Sequence, residues 1–151
     1  MVAEGEKAPD FALEGSDGKT HSLKEFGGRY LVLYFYPRDD TPGCTAEACS
    51  FRDSISEIRR EGAEVVGVSR DPLESHAKFR SKFGLNFLLL SDPEGKTIKE
   101  YGAYGSRGVF GMGTLRKTFV IDGKGRIVKI YDKVSPKEHG GEILGFLGSV
   151  G

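Results

Sequence analysis

The sequence predicts an α/β protein, a mixed central sheet flanked by helices, with an N-terminal β-hairpin as an extension. Three observations carry this expectation. Apolar runs of strand length at Tyr30–Tyr36, Glu64–Ser69 and Phe87–Leu90 alternate with segments of helical periodicity. Two further β-patterned runs, Leu115–Ile121 and Arg126–Asp132, are joined by the turn Gly123-Lys124-Gly125. Strands that alternate with helices and end in an antiparallel hairpin give a mixed sheet with helices on both faces. The chain has 151 residues, enough to bury about two-thirds of its unfolded surface. No linker or internal repeat interrupts it, so residues 1–151 are expected to form a single domain.

Each element has a local reason. Phe11 to Leu23 reads as a short hairpin, with Gly15-Ser16-Asp17-Gly18 at its turn. Ser22 can cap a short helix over Leu23 to Phe26, which Gly27-Gly28 stops. Tyr30–Tyr36 carries no charge and is rich in β-branched and aromatic residues, the composition of a strand buried on both faces. A helical pattern runs from Cys44 to about Arg60, with Ala48, Phe51, Ile55 and Ile58 on its apolar stripe. Pro42 suits the first helical position, where its missing N–H costs nothing, and Thr41 then becomes the N-cap. Gly62 ends that helix and Glu64–Ser69 is the next central strand. Asp71-Pro72 opens a helix with Phe79 and Phe83 on its inner face and Gly84 at its end. Phe87–Leu90 is a third strand, followed by a short helix near Glu94 to Tyr101. In the closing hairpin the inward residues are Phe119, Ile121, Ile127 and Ile130, or their alternating partners. Pro136 is expected to start the last helix, with Ile143, Leu144 and Leu147 as its stripe.

Bulk composition narrows the function. Lys plus Arg equals Asp plus Glu at 22 each, so no net charge recruits nucleic acid or an anionic membrane. No apolar stretch approaches the ~20 residues needed to span a bilayer. The opening MVAEGEKAPDF lacks the apolar core of a secretory signal. With only two cysteines, a disulfide-stapled secreted scaffold is not expected, and a reducing cytoplasm fits. There a cysteine pair is more often catalytic than structural.

Both cysteines, Cys44 and Cys49, lie just where the buried strand hands over to the helix. Open α/β sheets keep their active sites at such positions. Cys44 falls in the first helical turn, whose amide N–H groups have no intrahelical partners and whose dipole is positive. Such a place favours thiolate over thiol. An ordinary buried thiol is the alternative. Five residues along an intact α-helix turn through roughly 500° and rise about 7.5 Å, which separates the two Cα atoms by roughly 8.5 Å. A disulfide needs less than ~7 Å. The pair can close only if the first turns unwind, so a transient redox disulfide is more attractive than a static one. Cys49 can equally be a core residue beside Ala48.

Pro37-x-x-x-Thr41-x-x-Cys44, with Cys49 five residues on, resembles the active-site signature of the peroxiredoxins. The second cysteine is similar to that of the bacterioferritin comigratory protein, or peroxiredoxin Q, subfamily. Ala8-Pro9-Asp10-Phe11, Asn86–Asp92 and Arg116-x-x-Phe119-Val120-Ile121-Asp122 extend the likeness over nearly the whole chain. The resemblance implies a thioredoxin-like fold and thiol-dependent reduction of hydrogen peroxide and organic hydroperoxides. It implies Cys44 as the peroxidatic cysteine, Cys49 as the resolving one, and Thr41 and Arg116 as residues that orient and polarise the peroxide. Pro37 and Gly43 would line the substrate position, Gly43 through its N–H. A thioredoxin-like dithiol protein would recycle the disulfide, and no cofactor or metal is implied. A resolving thiol in the same chain removes any need for a dimer, so a monomer is expected, though a weak dimer is compatible.

A thiol–disulfide reductase wants Cys-x-x-Cys, which bridges without unwinding. A non-catalytic binding module on the same fold is the other class. A metal site needs more than two cysteines, and His21, His76 and His139 are scattered and read as surface or structural residues. Asp39 and Asp40 would raise a nearby thiol's pKa, but as loop residues they are expected to face solvent. Glu47 has three open readings, bonded to the loop backbone, bonded to Arg116, or decorating a helix, and the sequence assigns it no catalytic role. Gly102 to Gly113, with five glycines, reads as a flexible surface loop. Phe110 and Met112 within it could form an apolar rim that shifts with redox state. Neither a phosphate loop nor a dinucleotide fingerprint is completed there.

Overall fold

The computed structural model describes residues 2–150. In chain order it forms β1 (Ala12–Gly15), β2 (Thr20–Ser22), a 3-10 turn (Leu23–Phe26), β3 (Tyr30–Phe35) and α1 (Pro42–Arg60). Then come β4 (Ala63–Ser69), α2 (Leu73–Phe83), β5 (Leu88–Ser91) and α3 (Lys96–Glu100). β6 (Tyr104–Ser106), β7 (Met112–Thr114), β8 (Lys117–Ile121), β9 (Ile127–Tyr131) and α4 (His139–Val150) complete it. Seven strands make one sheet in the order β2-β1-β5-β4-β3-β8-β9. β3 lies parallel to β4 and antiparallel to β8, so it marks where the sheet changes sense. The expected mixed sheet is present.

Both faces of the sheet are covered, which is why β3 reads as a continuous apolar run. On one side Val32, Tyr34 and Val65 pack with Ala48, Phe51, Ile55 and Ile58 of α1, Phe79 of α2, and Ile143 and Leu147 of α4. On the other, Leu31, Leu33, Phe35 and Val66 pack with Phe26, Ile98 and Tyr101. Each such fully buried aliphatic or phenyl side chain contributes about 1.5–3 kcal/mol. β8 serves both layers, Val120 on the first face and Phe119 and Ile121 on the second. Ile127 and Ile130 join Phe119 and Ile121 on one face despite their odd spacing. The register shift between Val120 and Ile121 makes this possible, because a bulge's extra residue restores the alternation.

Two expectations are corrected. The last helix begins at His139, not Pro136, which lies in a preceding turn where the Glu138 N–H meets the Ser135 carbonyl at 3.1 Å. Its start is set by docking: the Gly140 N–H donates to Ser50 Oγ at 2.7 Å and His139 Nε2 meets Thr118 Oγ1 at 2.7 Å. The glycine-rich segment is a small antiparallel hairpin and not a loop, with Tyr104 opposite Thr114 and Gly105 opposite Gly113. Its glycines make room for side chains laid across it. A Cβ on Gly105 would come within 3.1 Å of Leu115, and one on Gly113 within 3.2 Å of Arg107.

Candidate active site

β3 delivers the chain to the site, and α1 receives it after the turn 37–41. Asp40 turns the corner at φ 56°, a left-handed conformation that Asp tolerates better than most residues. Thr41 is the N-cap residue, extended at φ −100° and ψ 156°, and Pro42 opens the helix as expected. The first helical bond runs from the Thr45 N–H to the Thr41 carbonyl at 2.8 Å. The Thr41 side chain makes no capping bond and Pro42 has no N–H, so the first amide donors there are those of Gly43 and Cys44. The Thr41 hydroxyl gives its hydrogen to the Arg38 carbonyl at 2.9 Å. That leaves its oxygen as an acceptor, able to orient a peroxide O–H but not to donate to it.

Cys44 is buried, at 2 % exposure. Facing it is Arg116, just ahead of β8, whose Nη2 lies 3.5 Å from Cys44 Sγ while Nη1 donates to Glu47 Oε1 at 2.8 Å. One planar fork therefore grips a sulfur and a carboxylate together, a geometry a lysine's single point charge lacks. Gly43 permits the approach, since a Cβ there would sit 3.0 Å from Arg116 Nη2. Glu47 is fully buried and its Oε2 has no partner among the described residues. Burial pushes its carboxyl from 4.5 up to about 7, against the pull of Arg116. Burial works against the charge on Arg116, but Glu47 and Cys44 outweigh it and its pKa is raised. The Tyr34 hydroxyl beneath the site is pushed well above its ordinary value, by burial first and then by the charges of Glu47 and Cys44.

Cys49 is half-buried on the same helix and both thiols are free. α1 is continuous through both, so the separation of about 8.5 Å applies. Pro37 is half-buried in the turn that leads to Thr41.

One electrostatic expectation fails. Asp40 does face solvent, where it pairs with Lys82 at 2.8 Å. Asp39 does not: it is buried, accepting from Tyr36 Oη at 2.6 Å, Ser75 Oγ at 2.7 Å and His76 Nδ1 at 2.7 Å. Three donors converging on one carboxylate make it favourable to bury a loop aspartate. His76 and His139 are fully buried and structural, and His21 on β2 pairs with Asp17 of the hairpin turn and Glu25 of the following 3-10 turn. No cluster of three or more metal-type ligands occurs among the described residues. Val109, Phe110 and Met112 stand out into solvent at 97 %, 76 % and 61 % exposure. Of the site's members, Glu47 is the one whose role the sequence does not assign. Its spacing of three from Cys44, one helical turn, was the available signal.

The AhpC/TSA family model matches residues 4–130. Peroxiredoxin Bcp of Bacillus subtilis (strain 168) is 47% identical over 143 residues, 93% of this chain and 91% of that protein. The chain belongs to the AhpC/TSA family, among its peroxiredoxins. Two solved peroxiredoxin structures agree. Peroxidoxin BcpB from Mycobacterium tuberculosis superposes with a TM-score of 0.90 at 34% identity, covering 100% of this chain and 99% of that one. Xanthomonas campestris bacterioferritin comigratory protein, described for its alkyl peroxide reduction activity, gives 0.88 at 33% identity, over 93% and 91% of the two chains. The fold is the thioredoxin-like one that the motif implied.

Proposed function

We propose that this peroxiredoxin reduces hydrogen peroxide and organic hydroperoxides through Cys44, with Cys49 as the resolving thiol. The observation that carries the reading is the Arg116 fork, which binds Cys44 Sγ and buried Glu47 at an uncapped helix mouth. In the first step the Cys44 thiolate attacks the peroxide oxygen that bears hydrogen, and the O–O bond breaks. Cys44 becomes a sulfenic acid, and the leaving oxygen takes up a proton to depart as water or an alcohol. Charge flows from sulfur onto oxygen, so the donors must address both atoms. In this reading Arg116 and the amides of Gly43 and Cys44 supply those donors, and Thr41 Oγ1 accepts the peroxide O–H. In the second step Cys49 attacks the sulfenic sulfur, a Cys44–Cys49 bond forms and water leaves. A thioredoxin-like dithiol protein then reduces the disulfide by thiol exchange, itself becoming oxidised.

Because the resolving thiol is in the same chain, the cycle needs no second copy, and we place the enzyme as a monomer in the cytoplasm. Peroxide consumption with dithiothreitol as reductant tests the roles. Cys44→Ser should consume none. Cys49→Ser should complete one turnover and then stall or overoxidise. Equal consumption by both variants would contradict the assignment.

A further inference from the structure

Closing a Cys44–Cys49 bond means drawing two Cα atoms from about 8.5 Å to about 5.5 Å by unwinding the helix between them. We propose that Asp39 with His76, and Ser50 with Gly140, are positioning residues for that step, fixing the two ends of the segment that unwinds. The inference rests on the function proposed above.

The upstream end is held from several directions. The Asp39 side chain accepts from Tyr36, Ser75 and His76, and its backbone N–H donates to Asp71 Oδ2 at 2.9 Å. His76 Nε2 meets the Leu90 carbonyl at 2.9 Å. Asp71 is itself held by Ser69 Oγ at 2.6 Å. The turn before α1 is thereby tied to the ends of β4 and β5 and to the first turn of α2.

The downstream end begins at the residue after Cys49. Ser50 Oγ accepts the Gly140 N–H at 2.7 Å, and a Cβ on Gly140 would overlap the Ser50 carbonyl, so the two backbones are in contact. Phe51 is fully buried, and Arg52 Nη1 donates to the Phe83 carbonyl at 2.7 Å at the end of α2. From Ser50 onward α1 is thus bolted to α4 and α2.

The turn between these anchors is the one poised to give. It holds Glu47 Oε2, buried without a partner among the described residues, a cost that unwinding relieves by admitting water. It is also held by Arg116 through Cys44 Sγ, a tie that weakens when the sulfur becomes a neutral sulfenic acid. Neither anchor has to open. Five residues from Asp39 to Cys44 reach up to ~17 Å when extended, far more than the closure needs. With both ends fixed, each sulfur stays within reach of the other and the effective concentration is kept high.

Hydrogen exchange of the reduced and peroxide-oxidised protein tests this in wild type, Ser50→Ala and Asp39→Asn. Wild type should lose protection on oxidation within residues 40–49, while amides from Phe51 to Arg60 and that of Tyr36 stay protected. Ser50→Ala, reduced, should match wild type. Oxidised, its loosened zone should extend past residue 50, and its overoxidised fraction at equal peroxide should rise about three-fold or more. Asp39→Asn should extend the zone back toward Tyr36. A wild-type zone reaching Arg60, or two variants that match wild type in both footprint and overoxidation, would overturn the inference while leaving the proposed function standing. Failure of wild type to form any disulfide would overturn both.

Discussion

Replacing Glu47 with Gln should stabilise the protein and impair it at once. The carboxyl is fully buried and its pKa stands at about 7 against an ordinary 4.5. The folded state therefore holds a proton over a pH range where the unfolded chain has released it. The unfolded state binds fewer protons there, so stability falls as pH rises from about 4.5 to about 7, then levels off. A shift of that size corresponds to about 3 kcal/mol at 1.36 kcal/mol per unit. Gln keeps the shape and an acceptor for Arg116 but never ionises. Urea denaturation should find Glu47→Gln more stable than wild type by about 3 kcal/mol near pH 8, and by about 1 kcal/mol or less near pH 5. Peroxide turnover should nevertheless drop, because the Arg116 fork loses the charged partner 2.8 Å from Nη1. A variant less stable than wild type near pH 8, or a difference independent of pH, would refute the reasoning.

Other perturbations follow from single contacts. Gly43→Ala places a methyl 3.0 Å from Arg116 Nη2, so the guanidinium must retreat from the sulfur. Stopped-flow oxidation of Cys44 should slow by roughly ten-fold with urea stability unchanged, since small displacements at the reacting centre are costly. Arg116→Lys cannot hold Cys44 Sγ and Glu47 together, and kcat/KM for peroxide should fall by roughly 100-fold. Gly140→Ala forces a methyl against the Ser50 carbonyl and should lower urea stability by about 1–3 kcal/mol, as overpacking does.

What the sequence disclosed was local. The strand Tyr30–Tyr36, the Thr41 cap, Pro42 at the head of the helix and the misfit between helical spacing and a disulfide all follow from neighbouring residues. What it hid depended on partners far along the chain. Glu47 acquires its role from Arg116, 69 residues away, and Asp39 is drawn inward by His76, 37 residues away. A turn aspartate looks solvated until a buried histidine faces it. The hairpin β6–β7 was masked by glycines that make room for Leu115 and Arg107. The start of α4 was set by contacts with Ser50 and Thr118, and not by Pro136. In each case a tertiary contact overrode a local preference.

The most direct measurement is peptide-mapped mass spectrometry of the reduced protein after one equivalent of hydrogen peroxide. The account requires a loss of two hydrogens, carried by a single cross-linked fragment that joins Cys44 to Cys49. Both thiols still free and alkylatable, or oxidation that stops at Cys44 while Cys49 remains a thiol, would contradict it.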